Sequence, residues 1–186
     1  MISDNASTDA TPEICADFAR RDARVRYFRQ PRNIGAPANW NFVARQARGR
    51  YFKWAAASDL CHRELLARCL EPLERDSGVA LCFARTAFID GLGRTLGDPA
   101  HDFPVLDASP SERFRRVCHE LQLNNAQSGL IRTGALRRTH LDRLYPHGDR
   151  VLMAELAKDE KPVPVSAGAE QTLPGDKANG AKFVKT

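Results

Sequence analysis

The apolar positions of this chain switch between two periods, and each switch predicts an element. Over residues 11–21, Ile14, Cys15, Phe18 and Ala19 recur at helical spacing, with Pro12 and Glu13 suited to a first turn. Residues 25–28 read as a short strand, and Gln30-Pro31-Arg32-Asn33-Ile34-Gly35 as a turn. A second helix is predicted over 37–48 through Trp40, Val43, Ala44 and Ala47, closed by Gly49, and a buried strand over 51–55. A third helix over 62–73 places Leu65, Leu66, Cys69, Leu70 and Leu73 along one stripe. A strand over 79–88 follows and ends at the turn Asp90-Gly91-Leu92-Gly93. Helix 110–123, a strand-like stretch at 128–131 and short helices at 134–142 and 149–157 complete the pattern. Such alternation predicts an α/β fold, a mostly parallel sheet with helices on both faces, whose ligands gather at strand ends.

Three strand ends hold polar chemistry. The first is Ser3-Asp4-Asn5-Ala6-Ser7-Thr8-Asp9-Ala10-Thr11, where carboxylates, hydroxyls and the N–H groups of a starting helix meet. The second is Trp54-Ala55-Ala56-Ala57-Ser58-Asp59, and the third is His147-Gly148-Asp149-Arg150. Each acidic residue has a structural alternative: Asp4 and Asp9 suit the cap of the first helix, Asp59 that of the third, and Asp149 that of the last.

Composition narrows the class. With 186 residues the chain is long enough for one ordinary core without cross-links, and its longest uncharged apolar run, residues 78–84, is far too short to span a bilayer. The five cysteines show no C-x-x-C spacing, so neither a disulfide framework nor a zinc site is indicated, and the expected location is cytoplasmic. The net charge of +5 is unevenly built: all 22 arginines precede residue 151, while five of the six lysines lie from 158 onward. From there the chain has three prolines, three glycines and only Phe183 as an aromatic, so 158–186 is expected as a disordered tail after a domain at 1–157.

The segments Ser3 to Thr11, Asn33-Ile34-Gly35-Ala36 with Asn39-Trp40-Asn41, and Ala47-Arg48-Gly49-Arg50-Tyr51-Phe52-Lys53-Trp54 together resemble the family 2 glycosyltransferases of the GT-A fold, which is Rossmann-like. The resemblance covers residues 1–157 and implies an inverting transferase that passes a sugar from a nucleoside-diphosphate sugar to an acceptor hydroxyl on a saccharide or glycolipid. Bacterial polysaccharide assembly is the family's commonest setting, on the cytoplasmic side and in some members peripheral to the inner membrane face. It also implies roles: Asp4 and Asn5 at the nucleoside and Asp59 on a divalent metal, Mg²⁺ or Mn²⁺, which as a hard cation takes oxygen ligands, with Ser58 in the nucleotide site offering a hydroxyl to the ribose or to a metal-bound water. Asp149 matches the base that takes the acceptor proton, with His147 in reserve.

Two departures accompany the match. Ala57 and Ser58 stand where the family's D-x-D segment is acidic, and the family's first β-α unit is expected to be missing before Met1. Impaired catalysis or a non-catalytic remnant is therefore an alternative, as is a sugar nucleotidyltransferase. Arginine clusters at Arg113-Phe114-Arg115-Arg116 and at Arg132 with Arg137-Arg138 would suit a polyanion-binding domain, but arginine and acid interleave along the chain, so nucleic acid is not an expected partner.

Overall fold

The computed structural model describes residues 1–57, 59–90, 92–97, 109–121, 124–143, 145–159, 161–172 and 184–185. Strand β1 (Ile2–Asp4) leads through the polar loop into α1 (Thr11–Arg21), and β2 (Tyr27–Arg29) returns parallel to β1, pairing Asp4 with Arg29. Helix α2 (Ala36–Arg45) and β3 (Tyr51–Phe52) follow, then α3 (Leu65–Arg75) and the long β4 (Val79–Ile89). Next come β5 (Thr95–Gly97), α4 (Pro110–Glu120), a 3-10 turn (Asn125–Ser128), β6 (Leu130–Arg132), α5 (Thr133–Arg137) and α6 (Gly148–Asp159).

The α/β architecture matches the expectation, whereas strand direction differs from a mostly parallel sheet. Among the described strands, β1 with β2 and β4 with β7 (Lys161–Thr172) run parallel. The pairs β3–β6, β4–β6, β4–β5 and β4 with β8 (Val184–Lys185) run antiparallel. Connection length explains part of this: Asp90 accepts N–H bonds from Leu92 and Arg94 in a tight turn with Gly93 at φ 79°, and a turn so short can only return the chain antiparallel. Alternation of apolar residues reports burial, not direction. Strand β7 also occupies a stretch expected as tail; proline is tolerated where a strand forgoes ladder bonds on one side. Residues 173–183 and 186 of that tail lie outside the described residues.

Strand β4 is apolar along nearly its whole length because it is covered on both faces. Ala80, Leu81 and Phe83 pack with Val117 and Leu121 near α4 and with Leu152, Met153 and Leu156 of α6. Val79, Cys82 and Ala84 meet Leu65, Cys69 and Leu73 of α3. The same large cluster takes in Phe52 of β3, Trp54 just beyond it and Ala44 of α2, so the end of β3 that leads to its polar loop is anchored by packed aromatic side chains. Of the cysteines, Cys15, Cys69 and Cys82 are buried, Cys118 is half-buried, and Cys61 is exposed.

Arginines finish the helices. Arg113, 4% exposed, donates from Nε to the Ala157 carbonyl at 2.7 Å and from Nη2 to that of Lys158 at 3.2 Å, closing the end of α6. Arg132 donates to Leu73, to Asp76 at 3.0 Å and to Val79 at 2.7 Å, closing α3 and the start of β4. Arg137 and Arg26 reach the carbonyls of Ala47 (2.9 Å) and Gln46 (3.0 Å) just beyond α2. Cations at these positions satisfy orphan carbonyls and oppose the negative end of the helix dipole.

Candidate active site

The loop after β1 is closed around Asp4. Its side chain is fully buried: Oδ1 accepts from the Ser7 N–H at 2.8 Å, Oδ2 accepts from the Tyr27 hydroxyl at 2.9 Å, and Arg29 Nε lies 3.5 Å from Oδ2. Burial alone would raise the Asp4 carboxyl, but the bonds from Ser7 and Tyr27 and the charge of Arg29 outweigh it and hold it below the ordinary aspartate value. Asp4 therefore shapes the loop rather than capping α1; Asp9 takes the helix-start role, accepting the Thr11 N–H at 3.0 Å. Asn5 uses both ends of its amide on the turn before α2, donating to Asn33 Oδ1 and accepting from the Ile34 N–H, each at 2.9 Å. Between them Ala6 has φ 64°, a left-handed conformation that non-glycine residues resist.

The segment after β3 is held by its aromatics. Trp54, 3% exposed, meets Phe52 edge-on at 4.7 Å between centroids and stacks on Trp40 at 5.9 Å. Asp59 closes a turn, its N–H donating to the Ala56 carbonyl at 3.1 Å. The first N–H groups of α3 go instead to His62, whose Nδ1 accepts from Glu64 at 3.3 Å and whose carbonyl accepts from Leu65 at 3.0 Å. Ser58 lies outside the described residues.

Asp149 stands at a cavity of about 400 Å³ lined by Pro37 of α2 and by Asp142, Arg143, Tyr145, His147 and Asp149. It sits in the first turn of α6, where the cap is the His147 carbonyl, which accepts from Arg150 at 3.0 Å and Val151 at 3.2 Å. Its carboxylate thus takes no part in that cap, and Oδ2 accepts from Asn124 Nδ2 at 2.9 Å. The opposite end of that amide, Asn124 Oδ1, is buried without a hydrogen-bond partner. Burial, and then the Asp149 carboxylate, push the Asp142 carboxyl above its ordinary value. Leu141 and His147, on either side of the cavity segment, have φ 59° and 64°. With Ala6 these are the positive-φ non-glycine residues of the described chain, and all three lie in polar loops at the ends of elements.

The structure thus joins Asp4 with Asn5, and Asp149 with His147, while Asp59 is not among the residues lining the cavity. Sequence reasoning did not find Asp142, Tyr145, Asn124 or Tyr27. For Asp142 a signal existed, a second carboxylate seven residues before Asp149 with Pro146 and Gly148 between; for Asn124 and Tyr27 there was none, since their partners are 25 and 23 residues away.

A metal at Asp59 has a thin donor set. Among the described residues no group of three His, Cys, Asp or Glu side chains is placed to hold an ion. One carboxylate nevertheless fits an ion that takes its remaining ligands from a substrate diphosphate and water, the usual manner for Mg²⁺.

An α/β sheet with a polar loop at β1 and a carboxylate pocket at a late helix start is the arrangement of the GT-A fold, and solved structures agree on that fold. The structure of Staphylococcus aureus TarS residues 1–349 in complex with UDP-GlcNAc superposes with a TM-score of 0.71 at 14% identity, over 94% of this chain and 49% of that one. The mannosyltransferase PcManGT from Pyrobaculum calidifontis, in complex with GDP-Man and Mn²⁺, gives 0.62 at 13% identity over 95% and 48%. The profile of Glycosyl transferase family 2 matches residues 1–142, and the chain belongs to that family. An uncharacterized glycosyltransferase of Methanocaldococcus jannaschii is 27% identical over 96 residues, which are 52% of this chain and 33% of the relative. An uncharacterized protein of Mycobacterium tuberculosis is 35% identical over 95 residues, 49% of this chain and 28% of the relative. The matches span a third or less of these curated relatives.

Proposed function

We propose that residues 1–157 form a domain that transfers a sugar from a nucleoside-diphosphate sugar to an acceptor hydroxyl with inversion, with Asp149 as base. The observation that supports this most is that half-buried Asp149 lines the cavity with its carboxylate held by Asn124 and not consumed in capping its own helix. In the step, the acceptor oxygen attacks the anomeric carbon opposite the diphosphate, its proton passes to an Asp149 oxygen, and the bond from carbon to diphosphate oxygen breaks. The Asp4 loop, with Asn5 fixed to Ile34, borders the nucleoside, and Asp59 faces the diphosphate with Ser58 at the ribose. A Mg²⁺ or Mn²⁺ ion bound there would neutralise charge growing on the leaving diphosphate.

Sugar nucleotides in two structural neighbours, UDP-GlcNAc and GDP-Man, favour a nucleoside-diphosphate sugar as donor, and Mn²⁺ in one favours a divalent ion. The acceptor class is a saccharide or glycolipid hydroxyl in polysaccharide assembly at the cytoplasmic face of a membrane; among the described residues no helix is long and apolar enough to cross one. Polyanion binding is disfavoured because Arg113 and Arg132 are spent on carbonyls and Arg115 and Arg116 pair with Glu112 and Glu120.

Calorimetric titration with UDP and GDP, with and without Mn²⁺, tests the donor site, and metal-dependent binding is expected. In Asp149→Asn that binding should persist while turnover of the sugar nucleotide falls by about 10²–10⁴-fold. A folded chain that binds neither nucleotide would leave a remnant.

A further inference from the structure

Three consecutive residues of α2 bond to three different parts of the site. Asn39 and Ser3 exchange two bonds, Ser3 Oγ to Asn39 Oδ1 at 2.6 Å and Asn39 Nδ2 to the Ser3 carbonyl at 3.1 Å. The Trp40 carbonyl accepts from Trp54 Nε1 at 3.1 Å. Asn41, 6% exposed, grips the backbone of Asp142 across 101 residues, donating from Nδ2 to its carbonyl at 2.6 Å and accepting its N–H at Oδ1 at 3.0 Å. Successive helical residues are turned by about 100°, so a tripeptide sweeps roughly 200° of the helix surface and can touch elements that never touch one another.

The Asn41 grip has consequences beyond one loop. It fixes Asp142 directly after Leu141, whose φ of 59° would otherwise relax, and two bonds from a buried amide offset that strain. The fixed segment is also what Gly148 rests on. A Cβ at Gly148 would lie 2.5 Å from Asp142 Oδ1 and closer still to the Arg143 carbonyl, so 142–143 sets where α6 begins and hence where Asp149 stands.

We infer that Asn41 is a positioning residue for transfer: acting through Asp142 and Gly148, it holds Asp149 in line with the donor loop that Asn39 anchors at the other side of the same helix. This rests on the reading of Asp149 as base. Asn39 and Asn41 divide the work, one securing the nucleotide end and the other the acceptor end.

The test compares Asn41→Ala with Asn39→Ala in the full chain, using UDP and GDP with Mn²⁺ as binding probes and release of nucleoside diphosphate from UDP-GlcNAc and GDP-mannose as turnover. Asn41→Ala should bind nucleotide within about twofold of wild type while turnover falls about 10²-fold, the cost of displacing a catalytic group by about an ångström. Asn39→Ala should weaken nucleotide binding first. Parallel losses in both quantities for Asn41→Ala, or unchanged turnover, would overturn the inference. Where the alanine variant fails to fold, Asn41→Asp, which keeps the acceptor for the Asp142 N–H and sets an oxygen against its carbonyl, should show the same split, and its absence counts equally against the inference. Amide exchange in wild type separates this from failure of the functional reading: a chain that binds no nucleotide refutes that reading, whereas an unprotected Asp142 N–H refutes the grip itself.

Discussion

The Tyr27 hydroxyl donates to Asp4 Oδ2 at 2.9 Å, joining the end of β1 to the start of β2 beneath the polar loop. Tyr27→Phe removes that donor from a buried carboxylate oxygen, so a loss of about 1–3 kcal/mol is expected in denaturant unfolding. Because the folded carboxyl titrates below its unfolded value, its stabilisation is complete above a pH of about 4 and disappears as the pH falls through the folded value. The difference between wild type and variant should therefore shrink on acidification, and a constant difference from neutral to acid pH would contradict this account.

Asp142 carries the opposite sign. Its carboxyl is raised by burial and by Asp149, so the folded state favours its protonated form, and that contribution, full below a pH of about 4, is lost as the pH rises through the folded value. Asp142→Asn should raise the melting temperature at pH 7 and have little effect near pH 4. Equal effects at both values would show that its charge is not penalised.

Gly148→Ala meets backbone. The added methyl would press on the carbonyl of Arg143, which cannot swing away as a side-chain tip can. A destabilisation of about 1–3 kcal/mol is expected, with turnover lost before nucleotide binding. Wild-type turnover in this variant would show that the cavity tolerates a shift of 142–143.

Arg132→Lys tests whether guanidinium geometry, rather than charge, finishes α3. One ammonium cannot reach the carbonyls of Leu73, Asp76 and Val79 together, and a loss of about 2–4 kcal/mol is expected in unfolding experiments. Stability equal to wild type would mean that charge alone suffices.

The helices were largely legible because their ends are written locally. Thr11–Arg21 starts at its proline, and α4 starts at Pro110 behind Ser109, whose hydroxyl accepts the Glu112 N–H at 3.4 Å. Helix α5 ends at Arg137 and not near 142, since Leu141 turns left-handed under the hold of Asn41 on the next residue, and a partner 101 residues away leaves no local trace. Strand direction was illegible for the same reason: β6 and β4 meet antiparallel by tertiary choice, while their composition states only that both are buried. Asp149 could be picked out beside its glycine, whereas the neighbour that shares its cavity, Asp142, was marked only as a second carboxylate seven residues earlier.

The arginine endings change what an approaching anion meets. Arg26, Arg113, Arg132 and Arg137 each point a guanidinium at carbonyls at or near helix ends, so those donors are already occupied, while the formal +5 is unchanged because a helix dipole has no net charge. Firm capture of a diphosphate then depends on short-range contacts made by other groups at the strand ends, while the net positive charge adds a long-range attraction that salt screens.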